Sequence, residues 1–297
     1  FFARRATVRL SALSAAMRRL AGGDFEARVA DLGRDEFGDM GRTFNAMVPE
    51  LKRSTHTRQE LALARDVQEG LLPRSAPAVP GLDVAGVCQF SSETGGDYYD
   101  FLPLAGGLTV VVGDVSGHGL SAALLMTSFR AYFRLRADIA EDLSELATDV
   151  NQHISQDTFA SGRFVTAFIA RLEPGDGHIH FVRAGHDPAL VYDQARDAFT
   201  ELMGQGLAMG VDGSFFYRSE SAALAPGQVV AIGTDGIWET FDAAGEMYGK
   251  ERFAAVLKAC AHRDAAGICR AVVEDLAAFR GPTPQEDDVT LVVVKVL

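Results

Sequence analysis

From residue 82 to its end the chain is written in short Val-, Ile- and Phe-rich runs: LDVAGVCQF, LTVVVGD, RFVTAFIARL, GHIHFVRAG, PALVYD, GQVVAIGTD and DVTLVVVKVL. Each is bounded by Gly, Asp or Pro, and each reads as a strand. Helical stretches come in pairs, at 119–136 with 141–157 and at 250–260 with 265–279. Strands in hairpin-like succession with paired helices predict an α+β layered sandwich. The one-to-one alternation of strand and helix that marks a doubly wound parallel sheet is missing.

Residues 8–72 follow a different pattern. Leu10, Leu13, Met17 and Leu20 are spaced 3, 4, 3, and Phe37, Met40, Phe44, Met47 and Leu51 are spaced 3, 4, 3, 4. That is a heptad a/d series on two short helices joined by a Gly- and Asp-rich connector. A lone amphipathic hairpin gives much the same spacing, so the connector has to discriminate. The stretch LAGGDFEARVADLGRDEFGDMGRTFNAM resembles the HAMP domain, a parallel dimeric four-helix relay of bacterial receptors. Arg9 departs from that family, which usually has a proline there. Pro49 falls inside the second helix, where it removes a backbone hydrogen bond and predicts a kink. Leu61, Ala64, Val67 and Leu71 then keep a helical stripe until Pro73 stops it. The expectation is a HAMP domain over 1–54, a helical coiled-coil linker over 55–73, and a homodimer formed through both. A solvated connector helix is the plainer alternative for the linker.

The chain has 297 residues, 47% of them hydrophobic, which is ample for a large domain plus a small one. Cys88, Cys260 and Cys269 form no CxxC pair, which argues against a disulfide framework or zinc site and fits a reducing cytoplasm. None heads a Cx₅R loop, so a cysteine-phosphatase mechanism is disfavoured. The net charge of −12 is uneven: residues 1–60 hold 11 Lys and Arg against 8 Asp and Glu, and the remainder holds 17 against 32. So acidic a main domain argues against nucleic acid and is compatible with bound divalent cations. No apolar run reaches the roughly 18 residues of a membrane span, and no signal peptide is present. The opening FFARRATV lacks a methionine and reads as a fragment. Phe1 and Phe2 before Arg4 and Arg5 suit either the end of a membrane helix with its basic flank or a frayed terminus.

The strand ends carry the chemistry. TVVVGDVSGHG places Asp114 at the exit of an apolar strand. Neither the GxxxxGK[ST] of a P-loop nor the GxGxxG of a dinucleotide loop is there. ETGGDYYDF places Asp97 and Asp100 after a Gly pair, VVAIGTDGIWE places Asp235 after another apolar strand, and PQEDDVTLVVV places Asp287 and Asp288 before the last. Each alone is an ordinary turn or acidic cap. Together they carry more weight, because central strands of packed sheets bring their ends into one cleft. Clustered carboxylates repel unless cations neutralise them. Hard oxygen ligands suit Mg²⁺ or Mn²⁺, and a pair of such ions promotes phosphoryl displacement. The residues point to metal-assisted phosphate ester hydrolysis.

GGDYYDF, GDVSGHGLSAALLM, FVTAFIARLEPGDGHIHFVRAGHDPALVY, GLAMGV, TDGIWET and EDDVTLVVV, in this order, resemble the SpoIIE-like bacterial branch of the metal-dependent protein phosphatases. LARDVQEGLLP resembles its lead-in helix. The resemblance spans residues 60–297 and implies a PPM-type αββα sandwich over 74–297. It implies two Mn²⁺ or Mg²⁺ ions, with Asp114 bridging, the Val115 backbone carbonyl beside it, Asp235 and Asp287 on the second metal, and Asp97 acting largely through metal-bound water. It implies one-step, in-line attack of a metal-bridging hydroxide on phosphoserine, without a phospho-enzyme. The implied substrate is a phosphorylated anti-sigma-factor antagonist (a small STAS-type domain) or a related regulator. The implied setting is the cytoplasmic part of an inner-membrane-anchored receptor.

One departure bears on catalysis. Type-2C relatives carry a histidine, the proposed general acid, two residues after the bridging aspartate; here Ser116 stands there and the nearest histidine is His118. Either His118 or metal-bound water would protonate the leaving group. His186 in RAGHDP reads as turn structure, and Trp238, Tyr98 and Tyr99 read as core around the cleft. Two rivals stand beside this reading: a catalytically weak phosphatase-fold module that only docks a regulator, and a metal phosphodiesterase acting on a nucleotide. The complete carboxylate set weighs against the first and the acidic domain against the second.

Overall fold

A computed structural model describes residues 2–30, 33–104, 107–140, 142–173 and 175–297. The chain divides into two compact units, one ending at Ala64 and one running from Arg65 to Leu297.

In the first unit, helix α1 (Phe2–Ala21) and the opening of helix α2 (Glu36–Glu69) enclose Leu13, Ala16, Ala27, Val29, Phe44 and Val48. Asn45 fixes the connector with both ends of its amide: Oδ1 accepts from the Val29 amide at 2.9 Å and Nδ2 donates to the Val29 carbonyl at 2.8 Å. Arg9 pairs with Asp35 of the connector, a contact no proline could make. The expected seam divides in two. Leu13 and Phe44 are buried, whereas Leu10, Met17, Met40, Met47 and Leu51 are 40% to 54% exposed. Helix α2 is assigned without interruption through Pro49, so the proline does not end it. Phe1 lies outside the described residues, and no helix among those described is long and apolar enough to cross a membrane.

Among the described residues the second unit has ten strands: β1 (Leu82–Gln89), β2 (Tyr98–Leu104), β3 (Gly107–Val115), β4 (Val165–Leu172), β5 (His178–Ala184), β6 (Ala189–Asp193), β7 (Ala198–Leu202), β8 (Glu220–Ala223), β9 (Val229–Gly233) and β10 (Val289–Val296). They form two five-stranded antiparallel sheets, ordered β1-β10-β9-β6-β7 and β2-β3-β4-β5-β8. Val110, Val112 and Phe168 of one sheet share a core with Val230, Ile232 and Val292 of the other. Val111, Ile169 and Val182 pack instead with Phe129, Phe133 and Leu146 of helices α3 (Leu120–Ala137) and α4 (Leu143–Thr158). Ala231, Leu291 and Val293 pack with Phe253, Leu257 and Ile268 of helices α5 (Gly249–Cys260) and α6 (Ala265–Arg280). The architecture is an αββα sandwich.

Its layering explains the unbroken apolar runs. Successive side chains on a strand point to opposite faces, so a strand covered on both faces must be apolar at every position. Helices α4 and α6 start where Asp142 and Asp264 cap them, each accepting from the amide three residues on (Glu145 and Gly267). Glu141, where sequence placed the start of α4, lies outside the described residues. Strands β2, β7 and β8 carry no such apolar run, and each ends a sheet. The largely exposed edge strands AFTEL and ESAA tolerate Thr and Glu, whereas YYDFLPL is covered on both faces and keeps Asp100 because Tyr98 and Arg134 pair with it.

Candidate metal centre

Asp114 lies near the end of β3, and Asp97 immediately precedes its neighbour β2. In the other sheet Asp235 follows β9, and Asp287 and Asp288 precede its neighbour β10. Each sheet thus delivers two adjacent strand ends, and the acidic groups feel one another. Burial, then the charges of Asp235, Asp287 and Asp288, push the Asp114 carboxyl up to about 7. Burial, then Asp287, Glu239 and Asp187, push Asp235 up to about 6. Burial holds Asp97 well above the usual carboxylate range, with Asp114 and Asp288 adding to it. Burial raises Asp287 too, against a lowering bond from the Asp288 amide.

The backbone around Asp97 is pinned from three directions. Gln68 Nε2 donates to the Gly95 carbonyl at 2.6 Å, and Gln68 Oε1 accepts from the Gly95 amide at 3.1 Å. The Asp288 carboxylate accepts from the Gly96 amide at 2.7 Å and, on its other oxygen, from the Ser91 amide at 2.7 Å. Thr234 Oγ1 donates to Asp97 Oδ2 at 2.8 Å while accepting from the Thr290 amide at 3.0 Å. The glycine pair is a steric requirement. A Cβ on Gly96 would stand 2.8 Å from the Val115 carbonyl oxygen, and one on Gly95 would stand 2.1 Å from Asp288 Oδ2.

This donor set suits a hard divalent cation. Among the described residues none of Asp97, Asp114, Asp235 and Asp287 pairs with a Lys or Arg, and only His118 offsets part of the charge at Asp287. Among the described residues no three His, Cys, Asp or Glu side chains are arranged to hold a metal by themselves. Mg²⁺ is usually bound through one or two carboxylates, with water completing its shell.

The other residues singled out by sequence fall into place around this cluster. His118 is exposed, and its charge favours the ionised form of Asp287, which puts it at the cluster's edge. Ser116 is occupied by the fold: its hydroxyl accepts from the Phe164 amide at 2.9 Å and its carbonyl from Arg163 at 2.6 Å. Asp100 leaves the cluster, bonding the Tyr98 hydroxyl at 2.5 Å and Arg134 at 3.3 Å. His186 ties the two sheets together, with Nδ1 2.9 Å from Thr166 Oγ1 and Nε2 3.1 Å from the Gly233 carbonyl. Burial lowers its imidazole to about 4, so it sits there neutral. Tyr98 and Trp238 are buried as core. The sequence reading passed over Gln68 and Thr234. Gln68 had been hidden by the apolar stripe expected on its helix, yet Val67 of that stripe is 67% exposed and Gln68 is 3% exposed.

Residues 105–297 match the family described as Stage II sporulation protein E (SpoIIE). The chain belongs to the SpoIIE family. Residues 1–53 match the HAMP domain, so a SpoIIE phosphatase-type domain follows an N-terminal HAMP domain. The phosphoserine phosphatase RsbU of Bacillus subtilis is 26% identical over 182 residues, 61% of this chain and 54% of RsbU. The chain therefore spans about half the length of that relative. Among solved structures, the SiaA-PP2C domain of Pseudomonas aeruginosa superposes with a TM-score of 0.72 at 23% identity, over 82% of this chain and 99% of that one. The RsbU and RsbW domains of a Mycobacterium tuberculosis protein give 0.66 at 29% identity, over 76% of this SpoIIE-family chain and 63% of that one.

Proposed function

We propose that this SpoIIE-family chain is a metal-dependent protein serine/threonine phosphatase of bacterial signal transduction. The observation that carries the reading is the gathering of Asp97, Asp114, Asp235 and Asp287 from four strand ends, with no Lys or Arg paired to them among the described residues. The residues that would hold two Mn²⁺ or Mg²⁺ ions are Asp114, Asp235, Asp287 and the Val115 carbonyl, with Asp97 behind them. Bound there, the ions neutralise the carboxylates, polarise a phosphoryl group and activate water for in-line attack.

The chain's own residues do the rest. Thr234 donates a hydrogen bond to Asp97 Oδ2 and so favours its ionised form, and Asp288 fixes the loop that presents Asp97. His118, exposed beside Asp287, gives the proton to the departing seryl oxygen. Similarity to the phosphoserine phosphatase RsbU supports a phosphoserine protein as substrate, and the family resemblance suggests a STAS-type anti-sigma-factor antagonist or a related regulator. The exposed Leu10, Met17, Met40, Met47 and Leu51 supply the surface for a homodimer, through which the HAMP unit of a membrane-anchored receptor controls the phosphatase.

Hydrolysis of a phosphoserine peptide with and without Mn²⁺, by the parent and by Asp114→Asn, tests this. Mn²⁺-dependent turnover that disappears in the variant is expected. Metal-independent turnover, or full activity of Asp114→Asn, sinks the reading.

A further inference from the structure

We propose that Gln68 is a positioning residue of the metal centre: its side-chain amide brackets the Gly95 peptide and so sets where Gly96 and Asp97 stand against the Asp114–Val115 donors. The inference rests on the metal-dependent reading above and names a residue of the helix that leads into the site.

Burying an uncharged amide side chain costs several kcal/mol unless both its ends find partners. Gln68 is 3% exposed, and both ends find them on one residue, Gly95, at 2.6 Å to its carbonyl and 3.1 Å to its amide, so two consecutive peptide groups are held. Packing alone asks for an apolar side chain here, and helix α2 instead leaves Val67 exposed and turns the amide inward. The backbone it holds lies in a pair of glycines, which have more conformational freedom than any other residue type. Gly95 and Gly96 cannot be replaced by stiffer residues, because a Cβ on either collides with Asp288 or with the Val115 carbonyl. The restraint must come from a neighbour, and Gln68 supplies it at two points.

Gln68 is itself held. Arg130 Nε of helix α3 donates to the Leu71 carbonyl at 3.0 Å, and Leu72 packs into the cores on both faces of the β2–β3 sheet. The bracket is therefore a fixed post against which Gly95 is set. From Gly95 the restraint passes through one peptide to Gly96, whose amide meets Asp288, and through the next to Asp97.

The test is calorimetric titration of Mn²⁺ into the full chain for the parent, Gln68→Met, Gln68→Glu and the control Glu69→Ala. Met keeps the volume of Gln68 and loses both hydrogen bonds. Glu keeps the acceptor for the Gly95 amide and loses the donor to its carbonyl, so it also serves if Met is not tolerated. Residues supporting metal ligands typically alter affinity 10- to 100-fold, and about tenfold weaker Mn²⁺ binding is expected for Gln68→Met, with Glu69→Ala unchanged. A Gln68→Met protein with a lower melting temperature but Mn²⁺ affinity within about twofold of the parent would make the residue merely structural and overturn the proposal. Failure of the parent itself to bind Mn²⁺ would overturn the metal reading, and this inference with it.

Discussion

The Asp288 carboxylate accepts a hydrogen bond from the Gly96 amide at 2.7 Å, although the two residues are 192 positions apart. Its sequence neighbour Asp287 is exposed and contributes charge to the cluster. Two adjacent aspartates thus do different work: one completes a loop, the other adds its charge to the cluster.

Their substitutions should separate accordingly. Asp288→Ala leaves the buried amides of Gly96 and Ser91 without their acceptor and is expected to cost about 3 kcal/mol in urea unfolding. Asp287→Ala removes repulsion from the metal-free protein and is expected to leave its stability within about 0.5 kcal/mol or raise it. It should still abolish Mn²⁺-dependent hydrolysis.

The cluster also sets a pH dependence. Asp114 and Asp235 titrate near 7 and 6 in the folded chain, above the ordinary carboxylate value. Between those limits the folded state binds more protons than the unfolded, so stability falls as pH rises. With a chelator present, this contribution is complete below the ordinary carboxylate value and lost by pH 8. Calorimetric melting should show the opposite order when Mn²⁺ is present, because the ions favour the ionised carboxylates.

His186 works in the other direction. Its folded value near 4 lies below that of a free imidazole, so the unfolded state binds the extra proton and acidification destabilises the fold. About 3 kcal/mol should be lost between pH 7 and pH 4. The difference in unfolding free energy between the parent and His186→Gln isolates it, since both share the aspartate cluster.

His118 can be read through the leaving group. A seryl oxygen departs poorly without a proton, whereas nitrophenolate needs none. His118→Gln is expected to lower kcat on a phosphoserine peptide by about 100-fold and to leave nitrophenyl phosphate nearly unchanged. Equal losses on both would remove the acid role.

The exposed apolar positions of helices α1 and α2 should pair two chains. Sedimentation of the parent is expected to give a dimer, and Met40→Glu with Met47→Glu a monomer that keeps the fold of the phosphatase unit.

The sequence carried most of this in its apolar runs. Strands covered on both faces announce themselves, and β3, β9 and β10, which lead to or from Asp114, Asp235 and Asp287, are all of that kind. The edge strands β7 and β8 were invisible because their exposed positions leave no apolar run, and β2 because Asp100 and Pro103 interrupt a short segment that is nevertheless buried on both faces. Gln68 and Thr234 were invisible for another reason. Their roles exist only as hydrogen bonds to residues far away in the chain, Gly95 and Asp97, and no local pattern encodes them. Asn45 makes the same two-point contact with Val29, and it too is a polar residue amid apolar helix positions. A single amide breaking a helical stripe is the one signal both share.

Strand β10 is the last element of the chain, yet it lies between β1 and β9 rather than at an edge. Asp287 and Asp288 arrive with it. The Gly96 loop gains its acceptor, and the cluster its fourth carboxylate, only when β10 is seated between β1 and β9. Closing the middle of one sheet and completing the acidic cluster are therefore one folding event. Without β10 the facing edges of β1 and β9 would both be left unpaired, so loss of this strand would give an association-prone chain rather than a weakened enzyme.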